Sequence, residues 1–300
     1  MRFSVWPGPQ QPWEQVAEVA AHAEATGWDG IWFADHFMPN GEDVSDGVLE
    51  CWSVMAALAA TVPRVRLGTL VCGNTYRHPA VLAKVAATTD RIAGGRLVLG
   101  LGAGWQQNEH EAYGIDFATT GERLARLEEA CAVVKGLTTQ ERTTFEGTHY
   151  TLTDAPLEPK PAQDPMPLLV GGGGERVTMR IAATYADEWN VWGTPETLRH
   201  KISVLERHCD DLDRDPSTIA RSAQALLFMG DDPAWLERMR QSPIGMATII
   251  GTVAEVGETV AAYAEAGVDE LIVPDFTLGE PAKRREVLDA FIEGVAPDFR

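Results

Sequence analysis

Three clusters of residues have the types and spacing for chemistry. Asp35 and His36 end a short apolar run, Gly30 to Ala34. A neutral imidazole there can act as a general base or donate a hydrogen bond near neutral pH. Asp35 can orient that ring or bind a ligand amide, and both residues can equally be ordinary caps. The second cluster is Arg96 to Glu109, an apolar run that breaks into Gly100, Gly102 and Gly104 and then offers Trp105, Gln106, Asn108 and Glu109. The missing side chains let another backbone or a flat ligand approach closely. Their spacing does not match the dinucleotide fingerprint, because no Gly or Ala follows at its third position. The third cluster, Gly171 to Gly174, lies between an apolar run and a helical pattern. Backbone amides and a helix N-terminus can together hold a phosphate there, with Arg176 and Arg180 nearby.

These groups need elements that bring them to one place. Strands are predicted at Arg2 to Trp6, Gly30 to Ala34, Val65 to Val71, the run beginning at Arg96, Leu168 to Val170, Glu188 to Trp192, Ser222 to Met229 and Glu270 to Pro274. Helical spacing falls between them, at Pro12 to Thr26, Glu50 to Thr61, Pro79 to Ile92, Thr120 to Gly136, Glu175 to Ala186, Pro195 to Asp211, Thr252 to Ala266 and Ala282 to Val295. An irregular stretch is expected from the seventh strand to Ile250. Eight strands alternating with helices describe an α/β chain forming a (β/α)8 TIM barrel as a single domain over residues 1–300. Residues 142–165 interrupt the rhythm before the fifth strand, with a hairpin about Glu146 and Gly147 and then a proline-rich stretch. In a barrel all strand exits surround one mouth. The mouth then also receives Arg77, His78 and Cys72 from the third strand, and Trp189, Asn190 and Trp192, which could wall a flat ring. The eighth exit, Val273 to Asp275, carries no basic group.

Composition narrows the partners. A net charge of −19 argues against nucleic acid and anionic membranes, which need a basic face. The four cysteines are far apart, so neither zinc nor a disulfide framework is indicated and buried thiols are expected. No signal-like apolar segment or long apolar run occurs, which points to the cytoplasm and to a small-molecule substrate.

Taken together, Asp35-His36-Phe37, Arg77-His78-Pro79, the Gly102-Ala103-Gly104-Trp105 exit with Asn108 and Glu109, and Gly171 to Gly174 resemble the bacterial luciferase-like superfamily. The likeness spans nearly the whole chain and is greatest to the actinobacterial branch that uses coenzyme F420 rather than FMN. The resemblance implies a cofactor whose ring lies over the third exit, against Thr69, Leu70 and Val71, with a non-prolyl cis peptide near the last two. It implies contacts from Asp35, Gly102, Ala103, Gly104, Trp105 and Asn108, and a phosphate at Gly171, Gly172, Gly173 and Gly174. His36 would exchange the proton that accompanies hydride transfer, while Asn40, Arg77 and Trp192 would meet the substrate. Relatives are commonly homodimers. Deazaflavin-dependent glucose-6-phosphate dehydrogenases of this group carry a tryptophan and a glutamate where this chain has Asn40 and Trp105, so sugar-phosphate oxidation is not expected. The alternatives are an FMN-dependent monooxygenase and a binding protein without turnover. Without the resemblance, the residues alone suit a phosphate-binding barrel isomerase or lyase. The loops near 37–48 and 230–250 carry no pattern that selects a substrate.

Overall fold

A computed structural model describes all residues, 1–300. Eight parallel strands close into the expected barrel: β1 (Arg2–Trp6), β2 (Gly30–Phe33), β3 (Arg66–Thr69, resuming at Cys72–Gly73), β4 (Leu97–Gly102), β5 (Leu168–Gly171), β6 (Glu188–Trp192), β7 (Ala220–Gln224) and β8 (Glu270–Pro274). β1 pairs with β8 in register from Arg2 opposite Glu270 to Trp6 opposite Pro274. The two halves of β3 both lie along β4, Leu67 opposite Leu97 and Gly73 opposite Gly102, which closes the ring. Between the halves, the Leu70–Val71 peptide is cis, as the resemblance implied.

Alternation along the strands divides the apolar residues into two bodies. One set packs outward against the helices in a large core; the other, Trp32, Leu70, Val98, Leu169 and Ile272, plugs the barrel. Gly68 is small because the Trp32 ring occupies the space that a Cβ would need.

At the N-terminal ends of the strands an ion cage closes the floor. The fully buried Glu270 accepts from Arg2 Nε at 2.9 Å, Ser4 Oγ at 2.6 Å, Trp32 Nε1 at 2.7 Å and Arg66 Nη1 at 2.8 Å. Arg66 also bonds Glu188. Burial alone would raise the Glu270 pKa, but Arg66, Arg2 and the hydrogen bonds hold it below the ordinary value. Burial prevails at Glu188, whose pKa is raised.

The insertion forms the expected hairpin, Arg142–Glu146 against Thr151–Pro156, and Glu129 pins its turn by accepting from the N–H groups of Thr148, His149 and Tyr150. All four cysteines are buried and free. No helix is long and apolar enough to cross a membrane.

Three expectations need correction, and one element was not foreseen. The seventh strand does not run unbroken to Met229: β7 stops at Gln224, and Leu226–Met229 pairs in parallel with Thr248–Gly251 in a separate two-stranded sheet. A strand with inward polar residues suits the barrel, whereas the continuous apolar run after it suits burial on both faces elsewhere. The stretch to Ile250 is therefore not irregular, and it includes a helix at Pro233–Gln241 capped by Asp232. After the glycine tract the helix begins at Thr178 rather than Glu175, because residues 175–177 form a turn. Finally, an unexpected helix, Gln107–Tyr113, follows β4 and ends at Gly114 in the left-handed region.

Candidate active site

That short helix organises one side of the mouth. Gln106 Nε2 donates to Met38 O at 2.8 Å and Asn108 Nδ2 to Pro39 O at 2.9 Å, so the loop after β2 is sewn to the loop after β4. Glu109, fully buried, is the central stitch. Its Oε1 accepts from His36 Nδ1 at 2.8 Å and from the Tyr76 hydroxyl, and its Oε2 accepts from Phe37 N at 2.8 Å. Burial pushes the Glu109 pKa up, but the bonds from His36, Tyr76 and Phe37 outweigh it and leave the group below the ordinary carboxylate value. Burial and the same carboxylate raise the pKa of Tyr76. An ionised carboxylate only accepts, so His36 carries its proton on Nδ1 and its Nε2 is left as the lone-pair nitrogen. The exposed Trp105 meets the His36 ring edge-on, with centroids 5.4 Å apart.

Asp35 and Arg77 are bound to each other. Arg77 Nη1 and Nη2 reach Asp35 at 2.6 and 3.1 Å, and Nη2 also reaches Glu50 at 2.7 Å. Burial raises the Asp35 pKa against the pull of Arg77. Arg77 is thus held between two carboxylates, and a ligand meeting it meets a neutralised cation.

At the third exit, Thr69 and Leu70 are buried, with Thr69 Oγ1 donating to Gly100 O at 3.0 Å and accepting from Gly100 N at 2.8 Å. Val71 is partly exposed, and the neighbouring glycines make its seat. A Cβ on Gly102 would lie 2.7 Å from Val71 Cγ2, and one on Gly171 would lie 2.8 Å from Cγ1. The close approach foreseen at Gly100 and Gly102 is therefore made by the chain itself. Gly104, at φ +81°, lies against Thr75, whose hydroxyl pairs with His110 Nε2 at 2.7 Å. Ala103 is partly buried and Asn40 is exposed.

The glycine exit of β5 fits an anion. Gly172 N bonds Asn190 O at 2.9 Å, but none of the backbone N–H groups of residues 173–177 is given to a protein acceptor. Lys201, which the sequence did not single out, brings its ammonium to Gly173 O at 2.8 Å and Glu175 Oε1 at 2.7 Å. Asn74 Oδ1 and Asn108 Oδ1 are buried without a partner on the neighbouring exits. A flat, phosphate-bearing cofactor fits this set of donors and acceptors.

Across the mouth, Trp192 packs on Trp6 at 5.8 Å between ring centroids, and Trp6 packs on Phe276 at 5.6 Å. Behind Phe276, the buried Asp275 accepts from Gly8 N at 2.9 Å and Gln11 Nε2 at 2.6 Å. Burial raises its pKa to about 6. The sequence reading passed over Trp6 and Phe276, as well as Tyr76 and the partnership of Glu109. The inward register of Trp6, two residues after Ser4, was the available signal.

A closed barrel with an imidazole, a carboxylate partner and an anion cradle at its strand exits defines an enzyme of the barrel class. The chain belongs to the luciferase-like monooxygenase family, whose pattern it matches over residues 1–246. It is 43% identical over 231 residues to a protein of Kineococcus radiotolerans named F420-dependent glucose-6-phosphate dehydrogenase, covering 73% of this chain and 65% of that one. It is 29% identical over 222 residues to the F420-dependent hydroxymycolic acid dehydrogenase of Mycobacterium tuberculosis, covering 74% and 61%. The match thus spans less than two thirds of these relatives. Among solved structures, an F420-dependent secondary alcohol dehydrogenase in complex with an F420-acetone adduct superposes with a TM-score of 0.85 at 22% identity, covering 100% and 99% of the two chains. The monooxygenase RslO1 of Streptomyces bottropensis does so at 0.84 and 19%, covering 100% of both. At these identities the two structures speak for the fold.

Proposed function

We propose that this protein is an F420-dependent oxidoreductase that passes a hydride between the deazaflavin and a small organic substrate at the barrel mouth. The observation that carries the reading is the His36–Glu109 pair, which orients one imidazole nitrogen as a proton carrier at the same barrel mouth as an anion cradle. The names of the similar proteins support the choice of cofactor.

The backbone N–H groups of residues 173–177, with Lys201, would hold its phosphate, and Val71, Asn108 and the Gly102 to Trp105 exit would flank its ring. Bound there, the deazaflavin supplies a carbon that donates or accepts hydride. His36 Nε2 takes the substrate hydroxyl proton during oxidation and returns it during reduction. Glu109 holds the ring in that tautomer and stabilises its charged form. Trp105 and the loop sewn to helix Gln107–Tyr113 limit access of water. Arg77 is occupied by Asp35 and Glu50, and at the eighth exit Arg284 is taken by Asp275 and Gln11. Together with Asn40 and Trp105, this favours a substrate other than a sugar phosphate. A homodimer is the assembly we expect, and light scattering reads it directly.

Parallel fluorescence titrations of the apoprotein with F420 and with FMN test the reading. Preference for F420 supports it; preference for FMN moves the protein to oxygen-using chemistry, and binding of neither overturns both.

A further inference from the structure

Two further buried side-chain atoms, on inward-facing residues of β1 and β7, have no partner. Trp6 Nε1 is buried and donates to nothing, and Gln224 Oε1 is buried and accepts from nothing. Both belong to inward-facing side chains. Trp6 packs on the barrel plug, while Gln224 follows Ala223, which points into the outer core, and so shares the inner face with Ser222. Gln224 is only 4% exposed and lies in register with Trp192, the residue stacked on Trp6. A buried donor or acceptor left unpaired costs about 1–3 kcal/mol, so an orphan pair at the edge of an aromatic wall calls for a ligand.

The surrounding rim is apolar. Val44, Trp105, Tyr113, Val177, Met246 and Phe276 are all exposed, and all lie on segments that follow the C-terminal ends of barrel strands, Tyr113 at the end of helix Gln107–Tyr113. They make up six of the ten exposed large hydrophobic residues in the chain. Such clustering marks a binding surface. The nearby cations have other partners: Arg77 is held by Asp35 and Glu50, Arg284 by Asp275 and Gln11, and Lys201 stands at the anion cradle of β5.

We propose that Trp6, Trp192 and Gln224 form a substrate subsite for an uncharged ring compound that carries a hydroxyl remote from its reacting carbon. The hydroxyl accepts from Trp6 Nε1 and donates to Gln224 Oε1, while the ring lies against Trp192. This assignment rests on the hydride-transfer reading for the ligand's reacting end, but the subsite itself is defined by its own residues.

The test is calorimetric titration of the F420-loaded protein with 4-hydroxyacetophenone, with acetophenone as the probe lacking the hydroxyl, and with glucose 6-phosphate. The hydroxylated probe is expected to bind about tenfold more tightly than acetophenone, the size of one good hydrogen bond. That advantage disappears in Trp6→Phe and in Gln224→Leu, each of which keeps the side-chain bulk. Equal binding of the two ketones, an advantage that survives both substitutions, or tighter binding of glucose 6-phosphate overturns the proposal. A fall in F420 affinity in the two variants also overturns it, since the orphan atoms would then belong to the cofactor. If F420 does not bind the wild-type protein, the hydride-transfer reading fails on its own, and the same titrations on the apoprotein still decide the subsite.

Discussion

Glu109 holds His36 by Nδ1 at 2.8 Å, and the same carboxylate anchors the next backbone N–H, that of Phe37. One side chain therefore fixes both the tautomer of the imidazole and the path of the loop that carries it. His36→Ala is expected to lower turnover by about 10²- to 10⁴-fold with little change in F420 affinity. Glu109→Gln, which offers one acceptor oxygen to three donors, is expected to lose less, about tenfold or more. Steady-state rates set beside cofactor titrations check this, and normal turnover in His36→Ala would remove the assigned role.

The seat of Val71 makes a prediction about pairs. Gly102→Ala drives a Cβ to 2.7 Å from Val71 Cγ2 and is expected to destabilise the fold by about 1–3 kcal/mol through overpacking. Val71→Ala removes the obstruction, so the double variant is expected to recover much of the loss. A urea-unfolding double-mutant cycle reads the coupling, and additive losses would show that the two side chains do not share the space.

Asp35 and Arg77 give the electrostatic counterpart. Arg77→Met leaves a fully buried carboxylate facing a neutral chain and is expected to cost about 3–5 kcal/mol. Adding Asp35→Asn removes the stranded charge and is expected to restore part of the stability. If the double variant is less stable than Arg77→Met alone, the pair is not the source of the loss.

Asp275 sets a pH dependence. Its folded-state pKa, raised to about 6 by burial, stands above the ordinary value of 3.8. The folded protein therefore holds the proton more tightly than the unfolded chain. The resulting stability is fully present below the unfolded pKa and is lost as pH rises through about 6. The gap of about two pH units corresponds to about 3 kcal/mol. Asp275→Asn is expected to flatten unfolding stability over that window relative to wild type, and identical slopes would refute the assignment.

The barrel was legible because alternating apolar runs and helical spacing are local signals, repeated eight times. The hairpin was legible for the same reason. The separate sheet was not, since Leu226–Met229 finds its partner across an intervening helix and no local pattern encodes a parallel pairing of that kind. The glycines were visible, but what filled the space beside Gly100 and Gly102 was not. That space belongs to Thr69 and Val71, about thirty residues earlier in the chain. Asp35 and Arg77 were both singled out, yet their mutual bond crosses 42 positions, and no local pattern encodes it. Spacing also could not tell that Glu109 faces His36 rather than solvent.

The ion cage of Arg2, Arg66, Glu188 and Glu270 closes the barrel at the end away from the mouth. Its anchorage owes nothing to the loops that meet a ligand. None of the cage's bonds comes from segments 37–48 or 230–247, so changes there leave those bonds in place. The scaffold is a chassis in which new specificities can be tried at one pole while the other keeps the chain folded.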